Sequence, residues 1–152
     1  MSEKREENIQ RYLVPITVLP EGYQPSANEE FMNDNQREYF RQKLLAWQAE
    51  LLNEANQTIA NLSSESLHKP DQMDRAQIES NAALDLRTRD RERKLLQKIE
   101  SALKRIEDGS YGYCEETDEP ISLSRLEARP IASMTIDAQE RHEKNERIHR
   151  DE

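Results

Sequence analysis

One stretch of the sequence has the spacing of a zinc site but few of the residues that such a site needs. Cys114 lies three residues before Thr117, Thr135 lies three residues before Ala138, and seventeen residues separate the two pairs. Cysteines at all four positions would match a four-cysteine zinc ribbon. A structural zinc ion takes four soft ligands in a closed tetrahedral shell, which one thiolate cannot provide. The sequence therefore predicts no bound zinc, and it leaves open whether the segment keeps a ribbon-like fold or never had one.

We expect apolar contacts to replace the metal in this segment. The candidates are Tyr111, Tyr113, Ile121, Leu123, Leu126, Ile131 and Ile136. Glu115 and Glu116 follow Cys114, and because negative neighbours raise the pKa of a thiol, we expect Cys114 to be unreactive. It is the only cysteine of the chain, which excludes an intramolecular disulfide and indicates a reducing compartment.

Two acids stand in the motif PDQMDRA at residues 70–76. Asp71 follows a proline and Asp74 lies three positions later, as the N-cap and N3 residues of a helix do. Carboxylates there also favour the positive end of the helix dipole. Alternatively, a long rod presents the two acids at its far end, where they would act inside another molecule. Position alone leaves both interpretations open.

Basic residues recur every three or four positions further along, at Arg87, Arg91, Lys94 and Lys98. This spacing places them on one face of a helix. Ion pairs at i,i+4, between Asp85 and Arg89 and between Asp90 and Lys94, explain some of the charges in this region. The basic face otherwise indicates binding to an acidic protein surface or to a small ligand that carries phosphate.

The composition limits what kind of protein this is. The chain has 152 residues, of which 34% are apolar and 35% charged, a poor supply for a globular core of that length and typical of a long solvated helical structure. A net charge of −9 argues against general nucleic-acid binding. No apolar run approaches the ~20 residues of a membrane span, and no signal peptide is visible. We expect a cytoplasmic protein without a membrane association.

Apolar residues at spacings of three and four predict two long helices around a short turn. The stripe of the first helix is Phe40, Leu44, Trp47, Leu51, Ala55, Ile59 and Leu62. The stripe of the second is Ala82, Leu86, Leu96, Ile99, Leu103 and Ile106, with Gly109 as its stop. Such narrow stripes are typical of a coiled-coil seam. The predicted class is mostly α, with a long antiparallel coiled-coil hairpin and a small globular module.

The predicted organisation has four parts. Residues 1–32 form an N-terminal segment in which prolines prevent a long helix. We expect this segment to pack on the globular module. Residues 33–108 form the hairpin, with its tip at 63–76. Residues 109–134 form a degenerate, metal-free segment similar to a zinc ribbon, and residues 135–152 form a polar C-terminal helix.

The chain resembles the DksA/TraR family of bacterial transcription factors, which bind RNA polymerase directly. The resemblance spans roughly residues 28–140 and rests on EEFMNDNQREYFRQKLLAW at 29–47, PDQMDRA at 70–76, DLRTRDRERKL at 85–95, KIESALKRIEDGSYGYC at 98–114 and SRLEARP at 124–130. The family combines a globular domain with a coiled-coil hairpin that enters the secondary channel of the polymerase. The resemblance therefore implies a monomeric regulator of initiation, at ribosomal RNA and amino-acid promoters, without catalytic activity or sequence-specific DNA binding.

The resemblance also implies roles for particular residues. Asp71, Asp74 and Ala76 would form the functional tip, and Arg87 and Arg91 would engage the polymerase near its channel. Family members act together with ppGpp in the stringent response, with the alarmone lying between factor and polymerase.

Three residues match the positions of the family that contact ppGpp: Leu95, Lys98 and Arg129. The lysine that the family carries just after the last zinc position is Gln139 here, so one phosphate-directed charge is missing. Since three of the four zinc cysteines are also replaced, the chain resembles a zinc-independent variant.

Two other functions fit parts of the sequence. A transcript-cleavage factor of the Gre type has the same architecture, and its tip acids help to hold a catalytic magnesium ion. The motif PDQMDRA resembles the tip of the DksA/TraR family rather than the adjacent acidic pair of cleavage factors. A plain coiled-coil scaffold would explain the stripes but neither the tip nor the basic face.

Overall fold

The computed structural model of the protein describes residues 13–65 and 72–151, without the side chains of residues 58, 61–65 and 72–74. The helices in these ranges are α1 (Asp34–Glu65), α2 (Gln72–Asp108), α3 (Leu123–Ala128) and α4 (Ile136–Arg150). Over the same ranges, extended pairing is limited to one isolated antiparallel bridge between Tyr113 and Pro120. The predicted fold class, mostly helical with two long helices, is confirmed.

The helix ends follow from local sequence. Ser122 and Thr135 precede α3 and α4, and each hydroxyl accepts a hydrogen bond at 3.3 Å from the N–H three residues later. Gly109 follows α2 with φ at +88°, a conformation that glycine adopts without strain, and its N–H donates to the carbonyl of Arg105. The stop predicted at Gly109 is confirmed.

The described residues divide into two units. The first, which we call the compact unit, consists of residues 13–44 and 101–151, and the second, the hairpin unit, consists of residues 45–65 and 72–100. Both α1 and α2 contribute residues to both units. The domain limits drawn from the sequence follow helix ends instead, and they stay predictions.

The core of the compact unit combines the start of α1, the end of α2 and the loops that follow. Its fully buried aromatic residues are Phe40 and Tyr111, whose ring centroids lie 5.7 Å apart. The hydroxyl of Tyr111 donates to the carbonyl of Pro130 at 2.7 Å, which ties the loop after α3 to the core. Burial raises the pKa of Tyr111, so this donor stays protonated at ordinary pH.

The apolar residues expected to replace a metal are mostly buried here. Tyr111, Ile121, Leu126 and Ile131 are buried, and Tyr113 and Leu123 are half-buried. The prediction that Ile136 contributes to these apolar contacts was wrong, since 54% of its surface is exposed. It is the first residue of α4, where the fully buried side chain is that of Ala138.

The stripe predicted for the hairpin is only partly correct. Leu86 is 64% exposed and Ile59 is 50% exposed, so neither lies at the interface between the helices. A different set of α2 side chains in the hairpin unit is at least half-buried and recurs every three or four residues. We call this set the hairpin seam; it consists of Ala82, Asp85, Arg89, Glu92, Leu96 and Ile99. Leu86 lies about 100° around the helix from Asp85, which places it on a flank of the seam.

Candidate functional site

The loop between α2 and α3 is closed around Cys114. The N–H of Cys114 donates to the carbonyl of Glu119 at 2.8 Å, and its carbonyl accepts from the N–H of Asp118 at 2.9 Å. Gly112, two residues earlier, has φ at +90°, and a Cβ built there would lie 2.9 Å from Met32 Cγ. A larger residue at 112 would therefore be strained and would push away the segment that precedes α1.

The sulfur of Cys114 is the acceptor of a hydrogen-bonded cluster. Its residue is only 1% exposed, and Thr135 donates its hydroxyl to Sγ at 3.9 Å. The hydroxyl of Thr117 and the backbone N–H groups of Glu116, Thr117 and Thr135 lie close enough to the sulfur to stabilise its thiolate. The Thr135 hydroxyl in turn accepts the N–H of Ala138. The four positions with zinc-ribbon spacing thus form one Cys114 cluster, consisting of Cys114, Thr117, Thr135 and Ala138.

These donors determine the acidity of Cys114. Burial raises the pKa of the thiol, but the hydrogen bonds from Thr117 and from the backbone outweigh burial and lower the pKa to about 7. The expectation of a raised pKa was wrong because the exposed neighbours Glu115 and Glu116 matter less than the donors around the sulfur.

The Cys114 cluster does not fit zinc. Its side chains offer one sulfur, two hydroxyls and one methyl group, whereas structural zinc takes four soft or imidazole ligands. The described ranges, 13–65 and 72–151, contain no group of three or more His, Cys, Asp and Glu residues that could hold a metal ion. The two hydroxyls at these four positions are suited to hydrogen bonding with the one sulfur.

Helix α3 is held against α1 through one carboxylate. Glu127 Oε1 accepts hydrogen bonds from Lys43 Nζ and from the hydroxyl of Tyr39, each at 2.7 Å. Burial would raise the pKa of Glu127, but the hydrogen bonds from Lys43 and Tyr39 lower it, so the carboxylate stays ionised. Arg129 caps the end of this helix through its N–H, and its side chain is exposed. The hydrogen bonds of Glu127 to α1 thereby fix the position of Arg129, which directly follows α3.

The segment before α1 is anchored by a fully buried carboxylate that the sequence did not suggest. Glu38 accepts the N–H of Ile16 at 2.9 Å, two hydrogen bonds from Arg41 at 2.6 and 2.7 Å, and one from Gln42. Burial raises the pKa of Glu38, but these donors outweigh burial and lower it. A single glutamate near the start of a helix gives no sequence signal for such a role.

A second carboxylate fixes the turn that precedes α1. Glu29 accepts the hydroxyl of Tyr23 at 2.6 Å, the side-chain amide of Gln36 at 3.1 Å and the N–H of Ser26. The hydrogen bonds from Tyr23 and Gln36 lower the pKa of Glu29. Phe31 and Tyr113 then meet edge to face at 5.4 Å, which places this segment on the Cys114 loop.

The tip residues are only partly described. Asp71 lies outside the described residues, and Asp74 lies in the first turn of α2 with its side chain outside them. Ala76 is exposed. The interpretations of the two acids, as helix caps or as functional groups, therefore stay predictions.

The basic face of α2 is exposed, as its spacing predicts. Arg87, Arg91, Lys94 and Lys98 all have exposed side chains in the hairpin unit. The predicted pair between Asp90 and Lys94 is confirmed at 3.0 Å. Asp90 also pairs with Arg93 at 2.8 Å. Among the described residues, no ion pair involves Arg87, Arg91 or Lys98, so these three side chains are available to a partner.

The three residues expected to contact ppGpp belong to both units of the chain. Leu95 and Lys98 lie three residues apart in the hairpin unit, Leu95 half-buried and Lys98 exposed. Arg129 belongs to the compact unit. Gln139, where the resemblance expects a lysine, donates its side-chain amide to Glu143 at 3.0 Å along α4.

Comparison with known protein families gives two matches in this chain. Residues 36–106 match the N-terminal domain of the DnaK suppressor protein DksA, and residues 109–144 match the prokaryotic dksA/traR C4-type zinc finger. A relative from Caulobacter vibrioides, named RNA polymerase-binding transcription factor DksA, is 60% identical over 90% of this chain and 97% of its own. The chain belongs to the DksA/TraR family.

Further members of the DksA/TraR family agree with this assignment. The Escherichia coli K12 protein of the same name is 46% identical over 77% of this chain and 78% of its own. The structure of transcription factor DksA2 from Pseudomonas aeruginosa matches with a TM-score of 0.73 and 40% identity, over 82% of this chain and 94% of that one. No helix in the described ranges is both long and apolar enough to cross a membrane.

Proposed function

We propose that this protein binds bacterial RNA polymerase through its secondary channel and modulates initiation at ribosomal RNA and amino-acid promoters. The observation that carries the proposal is the 60% identity, over nearly the whole chain, to a relative named RNA polymerase-binding transcription factor DksA. The long helices and the exposed side chains of Arg87 and Arg91 are consistent with a rod that docks on an acidic protein surface. On this proposal the protein acts as a cytoplasmic monomer, is not an enzyme and reads no DNA sequence.

We assign the regulatory step to the tip, with Asp74 as its main group. Asp74→Asn is expected to abolish regulation of a ribosomal RNA promoter in vitro while polymerase binding stays within a few-fold. Removing one acid from a first helical turn costs only ~0.5–1 kcal/mol, so the helix survives. The matched control is Glu79→Gln, an exposed acid further along the same helix.

Each result of this experiment has a definite meaning. Normal regulation by Asp74→Asn would return Asp74 to the role of a helix cap, and loss of polymerase binding would make it a docking residue. Stimulated RNA cleavage in a stalled complex would favour the Gre-type alternative. Failure of the unaltered protein to bind core polymerase at all would leave the scaffold interpretation.

We also propose that ppGpp acts with this protein through Leu95, Lys98 and Arg129. The exposed ammonium of Lys98 and the exposed guanidinium of Arg129 are suited to charge-assisted contacts with phosphate. Gln139 is a neutral donor that already bonds Glu143, so the response to ppGpp should be weaker than with a lysine at this position.

The third part of the proposal is that the protein folds without zinc. The donor set of the Cys114 cluster supports it, since one sulfur among hydroxyls and a methyl cannot close a zinc shell. The purified protein should contain no stoichiometric zinc and should keep its helicity in a chelator, as measured by metal analysis and circular dichroism. Zinc near one equivalent, or unfolding of the compact unit by the chelator, would contradict this.

A further inference from the structure

The hairpin unit buries ionisable side chains in its seam. Three consecutive seam positions of α2 are Asp85, Arg89 and Glu92, and Glu92 is only 9% exposed. Glu92 Oε2 and Arg89 Nε are buried and have no hydrogen-bond partner among the residues that the structure describes. The predicted pair between Asp85 and Arg89 is wrong, because no ion pair joins these two described residues. They occupy seam positions without compensating each other.

Large apolar residues lie on the outside of the same stretch. Leu84 and Leu86 flank Asp85, and they are 55% and 64% exposed. Towards the end of α2 the seam becomes apolar, with Leu96 half-buried and Ile99 fully buried. The change from charged to apolar seam therefore occurs within one helix, between Glu92 and Leu96.

This arrangement weakens the charged stretch. Polar residues at the interface of a coiled coil lower its stability, and a buried charge without a partner is strongly unfavourable. Exposed leucines contribute little to the association of the two helices, because their surface stays in water. Segments with few buried apolar contacts open locally long before the whole protein unfolds.

We propose that residues 82–92 form a charged seam segment that opens locally in the free protein, and that this opening is used when the hairpin unit docks on its partner. Opening returns Asp85, Arg89 and Glu92 to water or to the partner, while Leu84 and Leu86, which are already exposed, can be buried in the complex. The docking half of this inference rests on the proposed function, whereas the opening half concerns the free protein alone.

Hydrogen exchange of the full-length free protein tests the opening. Amides of residues 82–92 should exchange about tenfold or more faster than those of residues 96–106 in the same helix. Equal protection along both stretches would overturn the inference whatever the protein does to RNA polymerase, because no partner is present.

A repaired seam tests the use of the opening. Arg89→Leu combined with Glu92→Leu should raise protection of residues 82–92 and the melting temperature, because it replaces unpaired charges by apolar contacts. The matched control is Asp90→Leu combined with Arg93→Leu, which removes the same charge types at the same spacing from the exposed side. The control should leave the protection of residues 82–92 nearly unchanged.

Transcription in vitro then completes the test. The repaired protein should regulate a ribosomal RNA promoter several-fold less than the control at equal concentration, because its seam no longer opens. Equal regulation by a measurably rigidified protein would overturn the docking half, and a loss of stability on repair would overturn the opening half. If even the unaltered protein has no effect on polymerase, the proposed function fails while the exchange result stands.

Discussion

The compact unit and the hairpin unit treat buried charge differently. In the compact unit, Glu38 is fully buried and accepts four hydrogen bonds, including two from Arg41. In the hairpin unit, Glu92 is almost as deeply buried, yet one of its oxygens has no partner among the described residues. The compact unit also has buried nitrogens without a described partner, at Arg37 and Arg105. Arg37 nevertheless donates Nη2 to the carbonyl of Ile106, and the guanidinium of Arg105 lies 5.9 Å from the centroid of the Tyr111 ring.

The difference indicates two different tasks. A buried charge with complete hydrogen bonding makes one arrangement much better than its alternatives, and it suits a unit that holds fixed positions. An incompletely paired seam lowers the free-energy cost of rearrangement, and it suits a unit that must fit a partner. The compact unit is thus suited to stability, and the hairpin unit is suited to adapting to a partner.

The largest effect on this comparison is expected from Glu38→Gln. The change removes the buried charge that accepts hydrogen bonds from Ile16, Arg41 and Gln42, so it should destabilise the compact unit by on the order of 3 kcal/mol. The pKa of Glu38 is lowered, so its contribution is present at neutral pH and is lost as the pH falls through the folded-state value, below 4.5. Urea unfolding of both proteins, followed by circular dichroism at several pH values, measures this difference.

The control for Glu38→Gln is Glu50→Gln, which changes an exposed glutamate of α1 and should be nearly neutral. Hydrogen exchange gives a local readout, because the N–H of Ile16 loses its charged acceptor and should lose protection. Unchanged stability at neutral pH would mean that the two units do not differ in the way described.

The next effect concerns function rather than stability. Lys98→Ala and Arg129→Ala should each weaken the response to ppGpp about tenfold or more, since a charge-assisted phosphate contact contributes roughly 1.5–3 kcal/mol. Both side chains are exposed, so neither change should lower the melting temperature noticeably. The measurement is a ppGpp titration of transcription in vitro, with Lys144→Ala, an exposed lysine of α4, as the control.

An unchanged ppGpp response in both variants would move the alarmone away from these residues. The exposed basic face would then be explained by docking on polymerase, with Arg87 and Arg91 as its main anchors. Loss of basal polymerase binding by either variant would likewise assign that residue to docking.

Much of the fold could be predicted because helix signals are local. The apolar spacing and Gly109 each act within a few residues, and they placed the two long helices correctly. The seam of the hairpin could not be predicted by the same reasoning. An apolar stripe was assumed to mark the interface, whereas Leu86 is exposed and Glu92 is buried.

The site was predictable only where spacing carries information. The positions of Cys114 and Thr135 indicated a ribbon-like loop, and the exposure of Arg87 follows from its helical face. The acidity of Cys114 was not predictable, because it depends on donors from Thr117 and from the backbone that only the folded loop brings to the sulfur. The anchoring of Ile16 on Glu38, over 22 residues, likewise has no local signal.

The smallest effect is expected from the sulfur of the Cys114 cluster. Hydrogen bonds lower its pKa from the ordinary 9.0 of a thiol to about 7 in the folded protein, so the thiolate stabilises the fold fully above pH 9, and this contribution is lost as the pH falls through 7. Relative to Cys114→Ser, which should be nearly neutral at pH ~6, the unaltered protein should gain roughly 1–2 kcal/mol of unfolding free energy at pH ~9. Thr117→Val, which removes one hydroxyl donor, should reduce that gain. The measurement is the unfolding free energy of the three proteins as a function of pH. If the three curves run parallel, the thiolate adds no stability, and buried charge in the compact unit is stabilised at its carboxylates alone.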